Sequence, residues 1–98
     1  MPGAGIRIEG DALILSGTID SEHVSRLVGE LDALRSSEVR ALDAVELDRI
    51  DSAGLAFLVW CKKRFARDGV VLEIRNVPEQ LARLLSVSGL GNLFDTRR

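Results

Sequence analysis

Alternating apolar and polar side chains predict two strands at the start of the chain. Ile6 and Ile8 alternate with charged neighbours, and after the residues GD at 10–11 the run ALILSGTI is rich in β-branched side chains. Two such runs separated by turn residues are typical of a β-hairpin. We therefore expect two strands joined by a tight turn.

The period of the apolar residues changes after Asp20, where they recur at helical spacing. Asp20 or Ser21 is available as the N-cap, Glu22 falls in the first turn, and the apolar positions are Val24, Leu27, Val28, Leu31 and Leu34. This pattern predicts an amphipathic helix of about four turns.

The rest of the chain alternates between strand-like and helix-like segments. After a polar break, RSSEVR, the segment ALDAVEL predicts a strand, SAGLAFLVWCKKRFARDG a helix ended by Gly69, and VVLEIR another strand. Pro78 suits the first turn of a last helix, which carries Leu81, Leu84, Leu85 and Val87 and which SG at 88–89 would stop. The order β-β-α-β-α-β-α predicts an α/β fold with a mixed, mostly parallel sheet of four to five strands and packed helices.

Length and charge narrow the range of functions. With 98 residues, 46% of them hydrophobic, the chain fits one domain spanning 1–98. Thirteen basic and fifteen acidic side chains give a net charge of −2 and no basic block, which argues against a nucleic-acid partner. No signal-peptide pattern and no long apolar run are present. We expect a cytoplasmic protein that does not insert into the membrane directly.

Few residues suggest catalysis. Cys61 is the single cysteine and lies in an apolar helical stretch, so it favours a core or interface position over a disulfide or a zinc site. His23, at a helix start, is better explained as a surface residue than as a general base. Asp20, Asp48 and Asp51 fall near strand ends, where a magnesium site is conceivable, but no phosphate-binding glycine loop accompanies them. We expect no enzyme activity, no cofactor and no metal.

The stretch RIDSAGLAF places Ser52 where a strand changes to a helix. One interpretation is that Ser52 caps the helix, which contributes roughly 1 kcal/mol and is the commonest reason for a serine there. The other is that its hydroxyl is held out for a partner. Gly54 supports the second, since glycine in a first turn costs up to about 1 kcal/mol relative to alanine and often marks close approach of another backbone or ligand.

The helix after Ser52 carries more apolar residues than one buried face requires. Leu55, Leu58, Val59 and Phe65 form a stripe suited to the sheet, whereas Phe57, Trp60 and Cys61 form a second stripe. Either Trp60 packs against a neighbouring helix, or Phe57 and Trp60 bind a protein partner, as aromatic side chains often do at interfaces.

Three segments together resemble the STAS domain family, over a span from about Ile6 to Phe94. They are LILSGTID, AVELDRIDSAGLAFLV and VVLEIRNVPEQLARLLSVSGLGNLF. The most specific element is the string D-[ST]-x-G-L, matched by Asp51, Ser52, Gly54 and Leu55. A second element is the ending that carries Ser88, Gly89, Leu90, Leu93 and Phe94.

The resemblance implies a protein-interaction domain and leaves two kinds of family member open. In anti-sigma-factor antagonists, a partner anti-sigma kinase phosphorylates the serine that corresponds to Ser52. In the small STAS subunit of Mla-type phospholipid ABC transporters, which maintain outer-membrane lipid asymmetry, the same position docks on the cytosolic ATPase without modification.

The residues around the motif favour the transporter subunit. DSAGLA and RNVPEQLARLLSVSG are similar to that subunit, whereas Arg49 and TID replace residues usual in the antagonists. Such a subunit would lie at the inner face of the inner membrane through its complex. The predicted partner-binding residues are Asp51, Ser52, Gly54, Leu55, Phe57 and Trp60.

Overall fold

A computed structural model describes residues 3–34, 38–92 and, as backbone, 95–96. Within these residues the strands are β1 (Gly5–Glu9), β2 (Ala12–Ile19), β3 (Ala41–Ile50), β4 (Glu73–Arg75) and β5 (Asp95–Thr96), and the helices are α1 (Val24–Ala33), α2 (Ser52–Ala66) and α3 (Glu79–Val87). The predicted order is confirmed, with a short fifth strand added at its end. Part of the predicted polar break, 35–37, and the residues Leu93 and Phe94 lie outside the described residues.

The strands form one sheet in the order β1-β2-β3-β4-β5. β1 pairs antiparallel with β2 through the predicted tight turn, and the other pairs are parallel. β2 and β3 are joined through α1, and β3 and β4 through α2, as parallel neighbours require. β4 is shorter than VVLEIR predicted, because only Glu73–Arg75 pair with β3 and Val71 is 78% exposed.

One apolar core lies between the sheet and the helices, and α2 contacts both α1 and α3. The sheet contributes side chains that include Leu13, Leu15, Ile19, Leu42 and Ile74, and the helices contribute Leu27, Leu58, Leu81 and Leu85. Alternate residues along β2 enter this core, which explains why its apolar run is so regular. No helix in the described part of the chain is long and apolar enough to span a bilayer.

The opposite face of the sheet carries ion pairs. Arg7, Ile14, Asp43 and Arg75 are register neighbours on successive strands and therefore share this face. Arg7 donates to Glu46 through both terminal nitrogens, at 2.8 and 2.5 Å, and Arg75 makes a similar pair with Asp11 at 2.8 and 2.9 Å. These hydrogen bonds lower the pKa of the Glu46 and Asp11 carboxyls.

The helix ends follow the sequence signals in most cases. After α2 the amide of Val70 donates to the Phe65 carbonyl at 3.1 Å and Gly69 has a φ of 80°, a Schellman-type end that confirms the predicted stop. Gly89 has a φ of 72° and ends α3 in the same way.

The expected cap of α1 is wrong. Its helix begins at Val24, and neither Asp20 nor Ser21 caps it. Asp20 instead stabilises the preceding turn, where its side chain accepts a hydrogen bond from the Glu22 amide at 3.0 Å. The first helical turn is therefore replaced by a turn at the end of β2.

Candidate functional site

The β3–α2 loop is fixed by the two elements on either side of it. Ile19 and Ile50 are register partners at the ends of β2 and β3, and the Asp51 amide donates to the Ile19 carbonyl at 3.3 Å. The Ile50 amide donates to the Gln80 side chain of α3 at 3.0 Å. The loop is therefore held at the carboxyl end of the sheet, where α/β folds commonly place functional residues.

Asp51, not Ser52, caps helix α2. Asp51 has an extended backbone, and its Oδ1 accepts a hydrogen bond from the Gly54 amide at 2.9 Å. Ser52 is the first residue of the helix, its side chain is exposed, and its hydroxyl makes no hydrogen bond among the described residues. The prediction that Ser52 is the cap is wrong, because the adjacent acid takes that role. The hydroxyl is free to meet another molecule.

Gly54 and Leu55 serve the packing of the loop. A Cβ on Gly54 would lie 2.2 Å from the Ile19 carbonyl oxygen and 2.6 Å from the Ile50 side chain. The close approach expected at Gly54 is thus an approach to the protein's own backbone. Leu55 is 5% exposed and belongs to the core. Gly54 and the Leu55 side chain, two of the positions predicted to bind a partner, are thus buried in this structure, and their contact with a partner stays a prediction.

The turn after β2 lies beside this loop. His23 Nδ1 lies 2.6 Å from Asp20 Oδ1, and both side chains are 27% exposed, so His23 is less exposed than expected. The hydrogen bond with His23 and that from the Glu22 amide lower the pKa of the Asp20 carboxyl. Because Ile19 and Ile50 are paired, the residues that follow them form one continuous edge of the molecule.

The two aromatic residues of α2 differ in exposure. Phe57 is 1% exposed and lies in the core, whereas Trp60 is half-buried and its ring stacks on Phe57 with centroids 6.0 Å apart. The predicted second stripe is therefore part of one wide buried face, and Phe57 has no surface to offer a partner. Cys61 is also buried, as expected for a core residue, and burial raises the pKa of its thiol.

The acidic residues do not assemble into a metal site in the part of the chain that the structure describes. No group of three or more histidine, cysteine, aspartate or glutamate side chains is arranged there to hold an ion. Asp20 and Asp51 follow paired strands, but each carboxylate is already engaged with a neighbouring group. Asp48 lies within β3 rather than at its end.

Six residues were predicted to bind a partner. Of these, Asp51 and Ser52 are exposed and Trp60 is half-buried, so these three are accessible. Their contact with a partner stays a prediction. Gln80, which no sequence motif indicates, accepts a hydrogen bond from the Ile50 amide at the start of α3. Gln80 lies in the first turn of α3. A glutamine there can have many roles, so the sequence around it does not indicate this contact.

Several solved structures share this fold. A candidate anti-sigma factor antagonist from Thermotoga maritima matches with a TM-score of 0.78 and 19% identity, over 97% of this chain and 86% of that chain. The anti-sigma factor antagonist SpoIIAA in its unphosphorylated form matches with a TM-score of 0.71 and 14% identity, over 96% and 87%. A sulfate transporter family protein from Wolinella succinogenes matches with a TM-score of 0.70 and 20% identity, over 89% and 75%.

The sequence itself identifies the family. Residues 4–95 match the family described as "Mlab, STAS domain", so the chain belongs to the STAS domain family. The search of curated proteins found no significant match. The resemblance drawn from the motifs is thereby confirmed at the level of the family and of the fold.

Proposed function

We propose that this protein is a non-enzymatic STAS subunit that binds and regulates the cytosolic ATPase of an Mla-type phospholipid ABC transporter. The observation that carries the proposal is the match of residues 4–95 to the Mlab type of STAS domain. The sequence around the motif supports it, since DSAGLA and RNVPEQLARLLSVSG are similar to the transporter subunit.

The geometry of the loop supports docking through Ser52. A partner can approach the exposed hydroxyl without displacing a hydrogen bond among the described residues, because Asp51 already closes the first turn. The surrounding backbone is held by Ile19 and Gln80, so little conformational entropy is lost when the partner binds. Ser52 then acts as a neutral docking group that needs no modification.

Regulation follows from binding alone. A subunit that binds the folded ATPase stabilises it by mass action, and it favours whichever ATPase conformation it binds more tightly. Such a mechanism requires no chemistry from this chain.

A second candidate is an anti-sigma-factor antagonist that a partner kinase switches by phosphorylating Ser52. It is favoured by the likeness to SpoIIAA, for which a phosphorylated form is also known, and by the accessible hydroxyl. A phosphate on Ser52 would meet the free amides of the α2 N-terminus, which stabilise an anion. It would also meet the carboxylate of Asp51, which opposes this gain.

The two candidates are separated by offering both partners to the purified protein. The Mla-type ATPase and an anti-sigma kinase of the same organism are each titrated with the protein by calorimetry, and the kinase reaction is analysed by mass spectrometry. The proposal predicts a stable complex with the ATPase, a change in its ATP hydrolysis rate and no phosphate on Ser52. Binding to the kinase alone, with phosphate on Ser52, would establish the second candidate instead.

A further inference from the structure

The outward face of α2 differs from those of the two helices beside it. α1 and α3 expose mainly charged and polar side chains, which include Arg26, Asp32, Glu79 and Arg83, and Val87 at the last position of α3 is 81% exposed. Residues 52–60 of α2 contain no charged side chain, yet they include exposed Ala56 and the half-buried Val59 and Trp60. An apolar helix surface of this kind, continuous with the exposed Ser52, is typical of a contact with another protein.

The second half of the same face is cationic. Lys63 and Arg67 are exposed, and neither makes an ion pair or a side-chain hydrogen bond among the described residues. Other arginines on the helices are paired, for example Arg83 with Glu79 at 2.9 Å and Arg64 with Asp68 at 3.3 Å. The two cations, unpaired within the part of the chain that the structure describes, therefore continue the apolar surface as a patch of positive charge.

The residues of this face form one stripe along α2. Ser52, Ala56, Val59 and Lys63 follow one another at intervals of four, three and four positions, and Arg67 follows Lys63 at four. Such spacing places side chains along the seam that one helix presents to another. Ser52 and Ala56 have small side chains, so a second helix can approach α2 closely at this end.

We infer that the outward face of α2 binds a helix of the partner protein that is apolar opposite Ala56, Val59 and Trp60 and carries Asp or Glu opposite Lys63 and Arg67. The inference deepens the proposed function and rests on it, since it specifies which surface of the ATPase is recognised. Complementary charge at one end of the contact fixes the direction and register of the bound helix. The unpaired cations thus select the partner, and the apolar half supplies most of the affinity.

A protein helix fits this surface better than an anionic membrane does. Asp51 is exposed at the other end of α2, and an anionic bilayer lying along the helix would meet it together with Lys63 and Arg67. The net charge of −2 opposes such an approach as well.

The test compares single charge reversals at matched positions in the full chain. Lys63→Glu and Arg67→Glu are titrated against the Mla-type ATPase at low and moderate salt, with Arg83→Glu on α3 as the control reversal. Each reversal at Lys63 or Arg67 is expected to weaken binding about tenfold and to reduce its salt dependence, since an attraction becomes a repulsion. Arg83→Glu is expected to change affinity less than about twofold, because Arg83 lies on another helix. Denaturant unfolding of every variant checks that the domain remains folded.

A cross-link identifies the charged partner directly. A carbodiimide reagent, which activates a carboxyl group and leaves as its urea, is expected to join the neutral amine of Lys63 to an Asp or Glu of the ATPase as an amide, which mass spectrometry of the wild-type complex detects. Affinity and salt dependence unchanged in both reversals, with the wild type bound normally, overturn the inference and leave the proposed function intact. A wild-type protein that binds no ATPase overturns both.

Vesicles of phosphatidylglycerol and phosphatidylcholine test whether the face of α2 binds an anionic membrane instead of a protein. The inference predicts no binding of the wild type to these vesicles at moderate salt. Vesicle binding that Lys63→Glu and Arg67→Glu abolish, with ATPase affinity unchanged, would assign the cations to the membrane and overturn the inference.

Discussion

The side chain of Asp51 accepts a hydrogen bond from the backbone amide of Gly54 at 2.9 Å, which closes the first turn of α2. The same contact leaves the hydroxyl of Ser52 exposed and unengaged among the described residues. We therefore expect stability and recognition to be divided between two adjacent residues of one motif.

This division predicts that two alanine substitutions change the free energy of unfolding by different amounts. Asp51→Ala should lower the free energy of unfolding by about 1 kcal/mol, because a helix amide loses its acceptor. Ser52→Ala should change it by less than about 0.5 kcal/mol, since that side chain is exposed. Urea unfolding measures both, with Asp51→Asn as the control that keeps an acceptor. A larger loss for Ser52→Ala than for Asp51→Ala would return the capping role to Ser52.

Gly54 provides a second test of the packing at the loop. Gly54→Ala should destabilise the domain by about 1–3 kcal/mol, because the new Cβ would overlap the Ile19 carbonyl oxygen. The control is Gly29→Ala in α1, where a Cβ meets nothing within 4 Å. That substitution should stabilise the domain by up to about 1 kcal/mol through helix propensity. Thermal unfolding of the two variants should thus shift in opposite directions, and equal shifts would disprove the close approach.

Phe57 and Trp60 should separate stability from binding. Phe57→Ala should lower the free energy of unfolding by about 3–5 kcal/mol, because it removes a buried ring from the core. Trp60→Ala should weaken partner binding by more than about 1 kcal/mol and cost less stability, since this ring is half-buried. Calorimetry with the ATPase and urea unfolding are run on the same samples. Unchanged affinity for Trp60→Ala would show that Trp60 contributes to the stability of the domain and not to partner binding.

The ion pairs on the face of the sheet opposite the helices predict that the free energy of unfolding depends on pH. The Asp11 carboxyl has a lowered pKa in the folded protein because Arg75 donates to it, so its stabilising effect is present above the ordinary carboxyl range and is lost as the pH falls. The free energy of unfolding should therefore decrease on acidification.

Arg75→Gln tests the source of that dependence. The variant should show a shallower decrease on acidification than the wild type, because the carboxyl returns toward its ordinary pKa. Lys63→Gln removes a cation without an ion pair among the described residues and should leave the decrease unchanged. Parallel pH profiles for wild type and Arg75→Gln would show that this pair does not contribute.

The sequence was sufficient for the order of the first four strands and for most helix ends. Alternation in β1 and β2 fixes which residues enter the core, and glycines such as Gly69 and Gly89 stop helices through their backbone conformation. These signals are local, so they can be recognised without knowing the contacts of the folded chain.

The cap and the buried face of α2 could not be predicted because both depend on tertiary contacts. Asp51 and Ser52 are adjacent and both make good caps, so the choice depends on where β3 ends, and β3 continues to Ile50. The sequence does not show that Phe57 is buried, because a helix with apolar residues on most sides has no unique inward direction. Contacts with α1 on one side and α3 on the other widen the buried face of α2 until it includes Phe57.

The central claim is that the loop at Ser52 docks on the Mla-type ATPase. The most direct test measures the affinity of that ATPase for the wild type, Ser52→Ala and Ser52→Asp. A charge placed against a surface that receives a neutral hydroxyl must be desolvated, so Ser52→Asp should weaken binding on the order of a hundredfold. Ser52→Ala should bind within about tenfold of the wild type, and urea unfolding should show less than about 1 kcal/mol change for either variant. Wild-type affinity for a folded Ser52→Asp variant would contradict the account, since it would place Ser52 outside the interface.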